Sequence, residues 1–289
     1  SDLGQFCGGN TLKECEPAIE SLSEFGVSVC LDYAVEGEHS STGYEKTCLE
    51  LLKMIEFSKG KEEIPFVVFK PTGIASTDIL EKVSLSQTLS SDESAEFDQI
   101  RKRIHRICEA SAKANKRLFI DAEESWIQQA VDDLCEEMMA EFNQEKPLVH
   151  NTIQLYRHDR LKYLDGLKQR SVEKGFRMGL KLVRGAYMER ERDRAQEKGY
   201  EDPIQPDKES TDRDYDKAVE FCLDNLEHCS LCAATHNEES ALLLTSKMEE
   251  KEIQRDHPNV YFSQLYGMGD HLTFNLAKSG YNACKYLPY

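Results

Sequence analysis

Basic side chains recur in this sequence directly after or within short apolar runs, where a ligand could reach them. Lys70 follows the run PFVVF, and Lys181 and Arg184 lie within and after the run MGLKLV. The chain carries a net charge of −17, so three cations that converge on one place indicate an anionic ligand, such as a phosphate or a carboxylate. The small residues Gly185 and Ala186 follow Arg184 and would let a flat ligand approach the backbone closely.

Three chemistries remain open from these residue types alone. Lys70 or Lys181 could form a Schiff base with a carbonyl substrate. Asp121, His150 and His236 could bind a metal, although no HxH or HExxH spacing supports this. A flat cofactor could instead fill the site.

Each candidate also has an ordinary structural interpretation. Lys70 alone is typical of a solvated residue at a rim. Asp121 is equally well placed to cap a helix that begins near Ser125, and His236 beside Asn237 could bond the start of another helix. The combination of residues, more than any single one, favours a site.

The elements that would position these residues alternate regularly along the chain. Short runs rich in Val, Ile and aromatic residues predict eight strands: Gly26–Tyr33, Pro65–Lys70, Arg117–Glu123, Leu148–Tyr156, Met178–Tyr187, Leu231–Asn237, Val260–Tyr266 and Ala283–Tyr289. Most of them are near-continuous apolar runs, which is typical of parallel strands covered on both faces. Eight strands alternating with helices predict an α/β fold, a (β/α)8 barrel of the TIM type whose site lies at the carboxyl ends of the strands. A doubly wound open sheet is disfavoured, because no GxGxxG motif follows any strand.

Amphipathic helices are predicted between the strands. The expected bounds are Tyr44–Lys59, Ser125–Gln144, Thr211–His228 and Asn237–Ile253, with an opening helix at about 12–25. Thr211 and Asn237 are the expected N-caps. The Ser-rich and acidic segment Ser84–Glu96 is expected to be a loop inside the second crossover. No linker divides the chain, so residues 1–289 are predicted to form one domain.

Composition argues against several functional classes. The 53 acidic and 36 basic residues give a field that repels polyanions, so bulk attraction to nucleic acid or to an anionic membrane is not expected. No apolar run approaches the roughly 18 residues of a membrane span, and no signal-peptide pattern opens the chain. The start Ser1-Asp2-Leu3 is not a natural initiation, so the chain is expected to be trimmed.

The ten cysteines are scattered through apolar patterns. This arrangement predicts reduced, buried thiols in a reducing compartment, not a disulfide framework. Cys229 and Cys232 form a lone CxxC, for which a metal or redox role is disfavoured because no second CxxC pairs with it.

At the ends of the predicted strands the sequence resembles the proline dehydrogenase family, the flavin enzymes of proline catabolism. The matching stretches are GVSVCLDYAVEGE (26–38), FIDAEES (119–125), KPLVHNTIQLY (146–156), KLVRGAYMERERDRAQEKGYEDPIQPDKEST (181–211), THNEES (235–240), FSQLYGMGD (262–270) and KYLPY (285–289). They span almost the whole chain, and the LVRGAY, IDAEE and LYGMG segments are the most specific. The second crossover, roughly residues 71–110, matches least well.

The resemblance implies a distorted (β/α)8 barrel with FAD lying across the carboxyl ends of its strands. The implied reaction oxidises L-proline to Δ1-pyrroline-5-carboxylate. A hydride moves from the ring carbon next to nitrogen to flavin N5, and the electrons pass to a membrane quinone. The implied partners are therefore L-proline and the quinone, with a peripheral membrane contact and with neither nucleic acid nor a metal.

Site residues are carried over from the resemblance position by position. Lys70 would contact the proline carboxylate, and Asp121 would lie where the substrate meets the flavin. Tyr187, Leu265 and Tyr286 would line the substrate pocket.

A second set of residues is expected to hold the cofactor. Gln154 would hydrogen-bond the flavin ring, and Lys181 would lie near N5, where a positive charge favours the anion formed by hydride acceptance. The remaining FAD contacts would be Asp121, Ala122, Arg184, Gly185, Ala186, Thr235, His236, Asn237 and Gln264.

Position 286 bears on the choice of substrate. The family pattern usually has Ser there in hydroxyproline dehydrogenases, whereas this chain has Tyr286, which leaves less room for a 4-hydroxyl group. Proline is therefore the favoured substrate, and hydroxyproline is an alternative, because added bulk discriminates only modestly.

The chain departs from the family after its last predicted strand. There the family continues into a closing helix, with an Arg pair that clamps the substrate carboxylate and a Glu that contacts the flavin. This sequence has none of these residues. It is expected to be the ordered part of a longer protein; the alternative is a catalytically inactive barrel that serves as a binding or regulatory protein.

Localisation follows the source of the chain. A eukaryotic source implies the matrix side of the inner mitochondrial membrane, and a bacterial source implies the cytoplasm or the membrane periphery. The many cysteines and the monofunctional length favour the mitochondrial location.

Overall fold

Eight parallel strands close into a barrel in the computed structural model, which describes residues 7–35 and 39–289. The strands pair in sequence order, and β8 pairs with β1. Their bounds are Ser28–Asp32 (β1), Phe66–Phe69 (β2), Arg117–Ile120 (β3), Val149–Gln154 (β4), Met178–Val183 (β5), Cys229–Ala234 (β6), Val260–Leu265 (β7) and Ala283–Pro288 (β8). The predicted (β/α)8 barrel is confirmed, and the open doubly wound sheet is excluded.

Helices connect the strands around the outside of the barrel. Their bounds are Glu16–Glu24 (α1), Ser41–Ser58 (α2), Thr77–Ser84 (α3), Ser91–Lys113 (α4), Ser125–Phe142 (α5), Arg160–Lys174 (α6), Met188–Lys198 (α7), Lys208–Asp224 (α8), Glu238–Glu250 (α9) and Asp270–Lys278 (α10). Among the helices of the described residues, none combines the length and the apolar character that crossing a membrane requires.

Successive residues of each strand point to opposite sides of the sheet. One side is covered by the helices and the other faces the barrel interior, so both faces are buried. Outward side chains such as Leu31 and Val67 pack under the helices in a continuous core. Inward side chains such as Cys30, Phe66 and Phe119 fill the barrel, where the two Phe rings stack with centroids 4.2 Å apart. The near-continuous apolar runs of the sequence follow from this double burial, and the barrel is solid beneath its mouth.

A polar cluster lies deeper in the barrel, towards the amino ends of the strands. Arg117 donates hydrogen bonds to Ser230 Oγ at 3.0 Å and to Asn259 Oδ1 at 3.1 Å. The Nε2 atom of His150 lies 2.9 Å from the same Ser230 Oγ. Burial, assisted by the charge of Arg117, lowers the pKa of His150 to about 3. His150 is therefore a neutral, hydrogen-bonded core residue.

The segment Ser84–Glu96 is not the continuous loop that its composition predicts. α3 ends at Ser84 and α4 begins at Ser91. Ser90 Oγ accepts a hydrogen bond from the Glu93 amide, and the Glu93 carboxylate accepts one from the Ser90 amide. Ser and acidic residues are favoured in the first turn of a helix, so this reciprocal cap explains the composition that suggested a loop.

Of the two N-caps expected from the sequence, Thr211 is wrong and Asn237 is correct. The N-cap of α8 is Asp207, whose side chain accepts a hydrogen bond from the Ser210 amide, and not Thr211. Asn237 caps α9 as predicted, and its side chain accepts a hydrogen bond from the Ser240 amide at 3.0 Å.

All ten cysteines are free, as the sequence predicts. Cys229 packs in the outer core and Cys232 in the inner cluster, because residues three apart in a strand face opposite sides. This CxxC therefore cannot direct both sulfur atoms at one ion.

Candidate active site

A cavity of about 450 Å³ opens at the carboxyl ends of the strands. This volume is typical of pockets that bind small molecules or cofactors. Of the predicted site residues, all except Lys70 and Tyr187 line it. Six further lining residues were not predicted: Glu123, Thr152, Val183, Lys208, Ala234 and Ser263.

Asp121 lies at the floor of this cavity and is held by donors from three different strands. Its Oδ1 accepts a hydrogen bond from Thr152 Oγ1 at 2.5 Å. Its Oδ2 accepts bonds from Lys181 Nζ at 2.8 Å and from Tyr286 Oη at 3.0 Å. The Lys181 ammonium also lies over the Tyr286 ring, 4.1 Å from its centroid. Three donors fix the carboxylate of Asp121 in one orientation, so it belongs to the cavity and does not cap a helix.

Lys70 lies beside the cavity, and its ammonium is paired with the carboxylate of Glu123, which lines the cavity. Its Nζ is 3.0 Å from Oε1 of Glu123, and the two side chains are 20% and 29% exposed. Glu123, but not Lys70, contributes to the lining. A ligand carboxylate that binds Lys70 must therefore share it with Glu123 or displace that residue.

Arg184 is engaged by protein groups on three of its nitrogen atoms. Nε donates to Asp212, Nη1 to Thr235 Oγ1 and Nη2 to Ser240 Oγ, each at 2.8 Å. The guanidinium also stacks over Tyr215, 4.3 Å from the ring centroid. The side chain is thus fixed at the mouth before any ligand binds.

The three predicted cations are therefore not a cluster of uncompensated charge. Lys70, Lys181 and Arg184 each lie within hydrogen-bond distance of a carboxylate. The net charge of −17 made these cations conspicuous in the sequence, but the structure shows each of them paired.

Gly185 is required by its own backbone and by the residue beneath it. Its φ of +140° lies in a region that side-chain-bearing residues rarely adopt. A Cβ atom there would lie 2.3 Å from the ring of Tyr156. The small residue was expected to admit a ligand, and packing against Tyr156 is a second and independent reason for it.

Two glutamine amides are held at the walls by backbone groups. Gln154 Nε2 donates to the carbonyl of Glu123 at 3.0 Å. Gln264 Nε2 donates to the carbonyl of Thr235 at 3.0 Å, and its Oε1 accepts a hydrogen bond from Thr273. The orientation of both amides is therefore set by the protein.

His236 lines the cavity next to the cap of α9. Burial, with a smaller contribution from Lys285, lowers the pKa of its imidazole below the ordinary value. The ring is therefore neutral at physiological pH. It presents one donor and one acceptor and no charge.

The remaining predicted substrate contacts lie towards the rim. Leu265 is 49% exposed at the end of β7 and lines the cavity. Tyr187 precedes α7 and lies outside the lining, with its ring centroid 5.5 Å from the guanidinium carbon of Arg190.

Asp32 lies outside the cavity lining but interacts electrostatically with residues of the site, and it received no role from the sequence. It ends β1, is 9% exposed, and has a pKa raised to about 7 by burial and by the nearby charge of Asp121. The inward position of Asp32, although not its charged surroundings, follows from the alternation of side chains along β1. Inward positions alternate along a strand, so Cys30 inside the barrel places Asp32 on the inner face.

The metal hypothesis is not supported by the arrangement of the residues. His150 is bonded to Ser230 in the barrel interior and does not meet Asp121 and His236 at the mouth. Across residues 7–35 and 39–289, no group of three or more His, Cys, Asp and Glu side chains is placed to hold a metal ion.

Several known proteins are similar to this chain in sequence. The carbapenem antibiotics biosynthesis protein CarD of Pectobacterium carotovorum subsp. carotovorum is 36% identical over 286 residues, which are 98% of this chain and 73% of that protein. The mitochondrial proline dehydrogenase 1 of Dictyostelium discoideum is 29% identical, and the match covers 99% of this chain and 57% of that protein. The hydroxyproline dehydrogenase of Xenopus laevis is 30% identical, covering all of this chain and 70% of that protein.

A solved structure has the same fold. The proline utilization A protein (PutA) of Bdellovibrio bacteriovorus superposes with a TM-score of 0.86 at 18% identity, and the match covers 99% of this chain and 30% of the larger one. The family model for proline dehydrogenase matches residues 15–289. The resemblance noted in the sequence is thus confirmed, and with it the class of oxidoreductase: this chain belongs to the proline dehydrogenase family.

Proposed function

We propose that this chain is the catalytic barrel of an FAD-dependent enzyme that oxidises L-proline to Δ1-pyrroline-5-carboxylate. When bound, FAD would supply the acceptor, at N5, for a hydride from the ring carbon next to nitrogen, and the proton lost from nitrogen would pass to solvent. The observation that carries the proposal is the fixed Asp121 carboxylate, with Lys181 and Tyr286 bonded to it, at the floor of a cavity in a chain of this family.

The wall of the cavity suits a flat, polar ring system with an anionic tail. Gly185, Ala186 and Ala234 make one part of the wall small and flat. The preoriented amides of Gln154 and Gln264 offer hydrogen bonds, and the cations Lys181 and Arg184 offer positive charge. These residues, with Thr235, His236 and Asn237, would hold FAD.

The substrate end would be formed by the group around Asp121. Lys70 would bind the substrate carboxylate, and Leu265 and Tyr286 would pack against the ring. Lys181 carries its positive charge beside both Asp121 and Tyr286, where it would favour negative charge that develops at the acceptor. Tyr187 would line the outer part of this pocket.

Hydroxyproline is the second candidate substrate, because the relatives include a hydroxyproline dehydrogenase at 30% identity. The structure favours proline. Tyr286 is held by its bond to Asp121 and by parallel stacking on Phe119, with centroids 6.1 Å apart. A 4-hydroxyl group would meet this fixed ring.

The electron acceptor and the location extend the same proposal. A membrane quinone would take the electrons through a peripheral membrane contact. The relatives named proline dehydrogenase are mitochondrial, whereas CarD is bacterial. The matrix side of the inner membrane is therefore proposed for a eukaryotic source, and the cytoplasm or membrane periphery for a bacterial one.

Anaerobic titration of the purified protein tests the function. The protein is expected to carry FAD, and its visible flavin absorbance should bleach on addition of L-proline and less readily with trans-4-hydroxyproline. Preferential bleaching by hydroxyproline would select the second candidate. A protein that takes up no FAD, or whose flavin neither compound reduces, would be the inactive binding barrel instead.

A further inference from the structure

The carboxyl group of Asp32 lies beside the cavity, within electrostatic reach of Lys70, Asp121 and Lys181, and the proposed roles leave it unused. The residue ends β1 on the inner face of the barrel and is 9% exposed. Its Oδ1 atom is buried, and no group in the described part of the chain donates a hydrogen bond to it. A buried carboxylate oxygen without a donor makes ionisation of the group costly, so its presence calls for a reason.

Charged groups at three other strands of the barrel interact electrostatically with Asp32. Lys70 follows β2, Asp121 and Glu123 follow β3, and Lys181 lies in β5. The phenol of Tyr286 in β8 is also close enough to interact.

Among the described residues, the charges of this cluster balance in only one state of Asp32. Lys70 is paired with Glu123 at 3.0 Å, and Lys181 with Asp121 at 2.8 Å. These two pairs sum to zero. An ionised Asp32 makes the cluster negative before any ligand arrives, whereas a protonated Asp32 leaves it neutral.

The two states of Asp32 are both accessible near neutral pH. Burial and the charge of Asp121 raise its pKa to about 7, and Lys70 and Lys181 oppose this shift without cancelling it. Glu123 adds a smaller effect in the same direction as Asp121.

We propose that Asp32 is a positioning residue that sets the charge of the substrate-carboxylate subsite, and that the substrate carboxylate binds to the form in which Asp32 is protonated. When Asp32 is ionised it competes for Lys70 and Lys181 and repels an incoming carboxylate. The inference rests on the proposed function, because it takes Lys70 as the partner of the substrate carboxylate.

Proton uptake on binding is the thermodynamic consequence. A bound carboxylate adds negative charge beside Asp32 and so favours its protonated form. By linkage, a carboxylate that draws a proton onto Asp32 must bind more weakly as the pH rises. The loss approaches tenfold in dissociation constant for each pH unit above the pKa of the free site.

The probe is cyclopentanecarboxylate, which keeps the ring and carboxylate of proline and has no amine that titrates. Its dissociation constant from the FAD-loaded protein is measured by calorimetry between pH 6 and 9. In the wild-type protein the constant should rise by up to about tenfold per pH unit above neutrality. In Asp32→Asn, which resembles the protonated acid, it should stay nearly constant and be lower than the wild-type value at high pH.

A matched control is Asp133→Asn. Asp133 is an exposed carboxyl of α5, bonded to Gln129, and it lies outside the cavity. This variant should keep the wild-type pH dependence. A wild-type slope in Asp32→Asn, or the same flattening in Asp133→Asn, would overturn the proposal.

Calorimetry of the wild-type protein in two buffers of different ionisation enthalpy gives a second measurement that needs no variant. Net uptake approaching one proton per bound probe is expected at slightly alkaline pH, and no uptake would contradict the role of Asp32. Flavin bleaching by L-proline is read separately. Bleaching without pH-linked probe binding rejects Asp32 alone, whereas pH-linked binding without bleaching rejects the proposed function.

Discussion

Asp121 receives its three hydrogen bonds from residues of β4, β5 and β8, so strand register alone determines how its carboxylate points. A side chain fixed from three strands is preorganised, and a small displacement of any one strand would change its position. Lys70 differs, because it is paired with Glu123, whose side chain is partly exposed. The floor of the site is thus rigid, and the side that would take the substrate carboxylate is more adaptable.

Replacing Lys70 with Met should raise the KM for L-proline about tenfold, because one charge-assisted bond to the substrate carboxylate is lost. FAD affinity should change little, since Lys70 is not among the residues proposed to hold FAD. Steady-state kinetics and flavin content measure the two effects. Lys82→Met removes a lysine paired with Glu93 away from the cavity, and should keep the wild-type KM. An unchanged KM in Lys70→Met would remove Lys70 from the substrate site.

Replacing Tyr286 with Ser should raise the ratio of kcat/KM for trans-4-hydroxyproline over L-proline by about tenfold, because the ring that excludes the 4-hydroxyl is removed. Tyr286→Phe is the matched control. It loses the bond to Asp121 but keeps the ring, and its ratio should stay close to that of the wild-type protein. If the ratio moves equally in both variants, the hydrogen bond and not the ring determines the preference.

Most residues of the site could be predicted, because the carboxyl ends of barrel strands and the family resemblance select the same positions. Their partners could not. Nothing in the sequence shows that Lys70 meets Glu123, or that Tyr156 lies beneath Gly185, because such contacts depend on side-chain direction. Asp32 was overlooked because its importance comes from charges on other strands.

At the scale of elements, Glu191 ties together the segments that follow β3 and β5. It is fully buried in α7, and its carboxylate accepts hydrogen bonds from the backbone amide and the hydroxyl of Ser125, at the start of α5. α5 has no cap from its own N-cap residue, so Glu191 supplies the missing acceptor from another helix. Asp121 and Arg184 lie just before these two helices.

Replacing Glu191 with Gln should lower the free energy of unfolding by about 1–2 kcal/mol, because the charge that accepts the two bonds is lost in a buried place. Urea denaturation followed by far-UV circular dichroism measures the change. Glu189→Gln is the matched control on the exposed side of the same first turn, and should alter stability by less than about 0.5 kcal/mol. Equal losses in the two variants would show that general helix charge, and not the contact with Ser125, is responsible.

The strands could be predicted from the sequence more reliably than the helices. Burial on both faces gives most strands an apolar run, although β4 reads VHNTIQ. In contrast, α7 has the sequence MERERDRAQEK and buries only Glu191 and Ala195. Such a helix carries no periodic signal of its own. The loop predicted over Ser84–Glu96 was wrong for a related reason, since the capping box at the start of α4 has the Ser-rich and acidic composition of a polar loop.

At the scale of the whole molecule, the barrel interior couples stability to pH through His150. An unfolded chain protonates this residue below about pH 6.5, whereas the folded barrel keeps it neutral down to about pH 3. Between these values the unfolded state binds more protons, so the stabilisation present above pH 6.5 is lost as the pH falls.

Lowering the pH from 7 to 5.5 should therefore cost the wild-type protein about 1 kcal/mol more stability than it costs His150→Gln. Urea midpoints at the two pH values give the comparison. His228→Gln, which removes an exposed histidine from the turn before β6, should follow the wild-type protein. A pH dependence in His150→Gln as steep as that of the wild-type protein would contradict the assignment.

The packed interior also determines how ligands enter and leave the site. The stacked rings of Phe66 and Phe119 and the buried polar cluster beneath them fill the barrel below Asp121. Every molecule that reaches Asp121 therefore comes and goes through the same opening, at the carboxyl ends of the strands. Under the proposed function, the product must leave before the next substrate can arrive. Pyrroline carboxylate should consequently inhibit in competition with proline. Oxidation of proline and transfer of the electrons to the acceptor should take place in alternation.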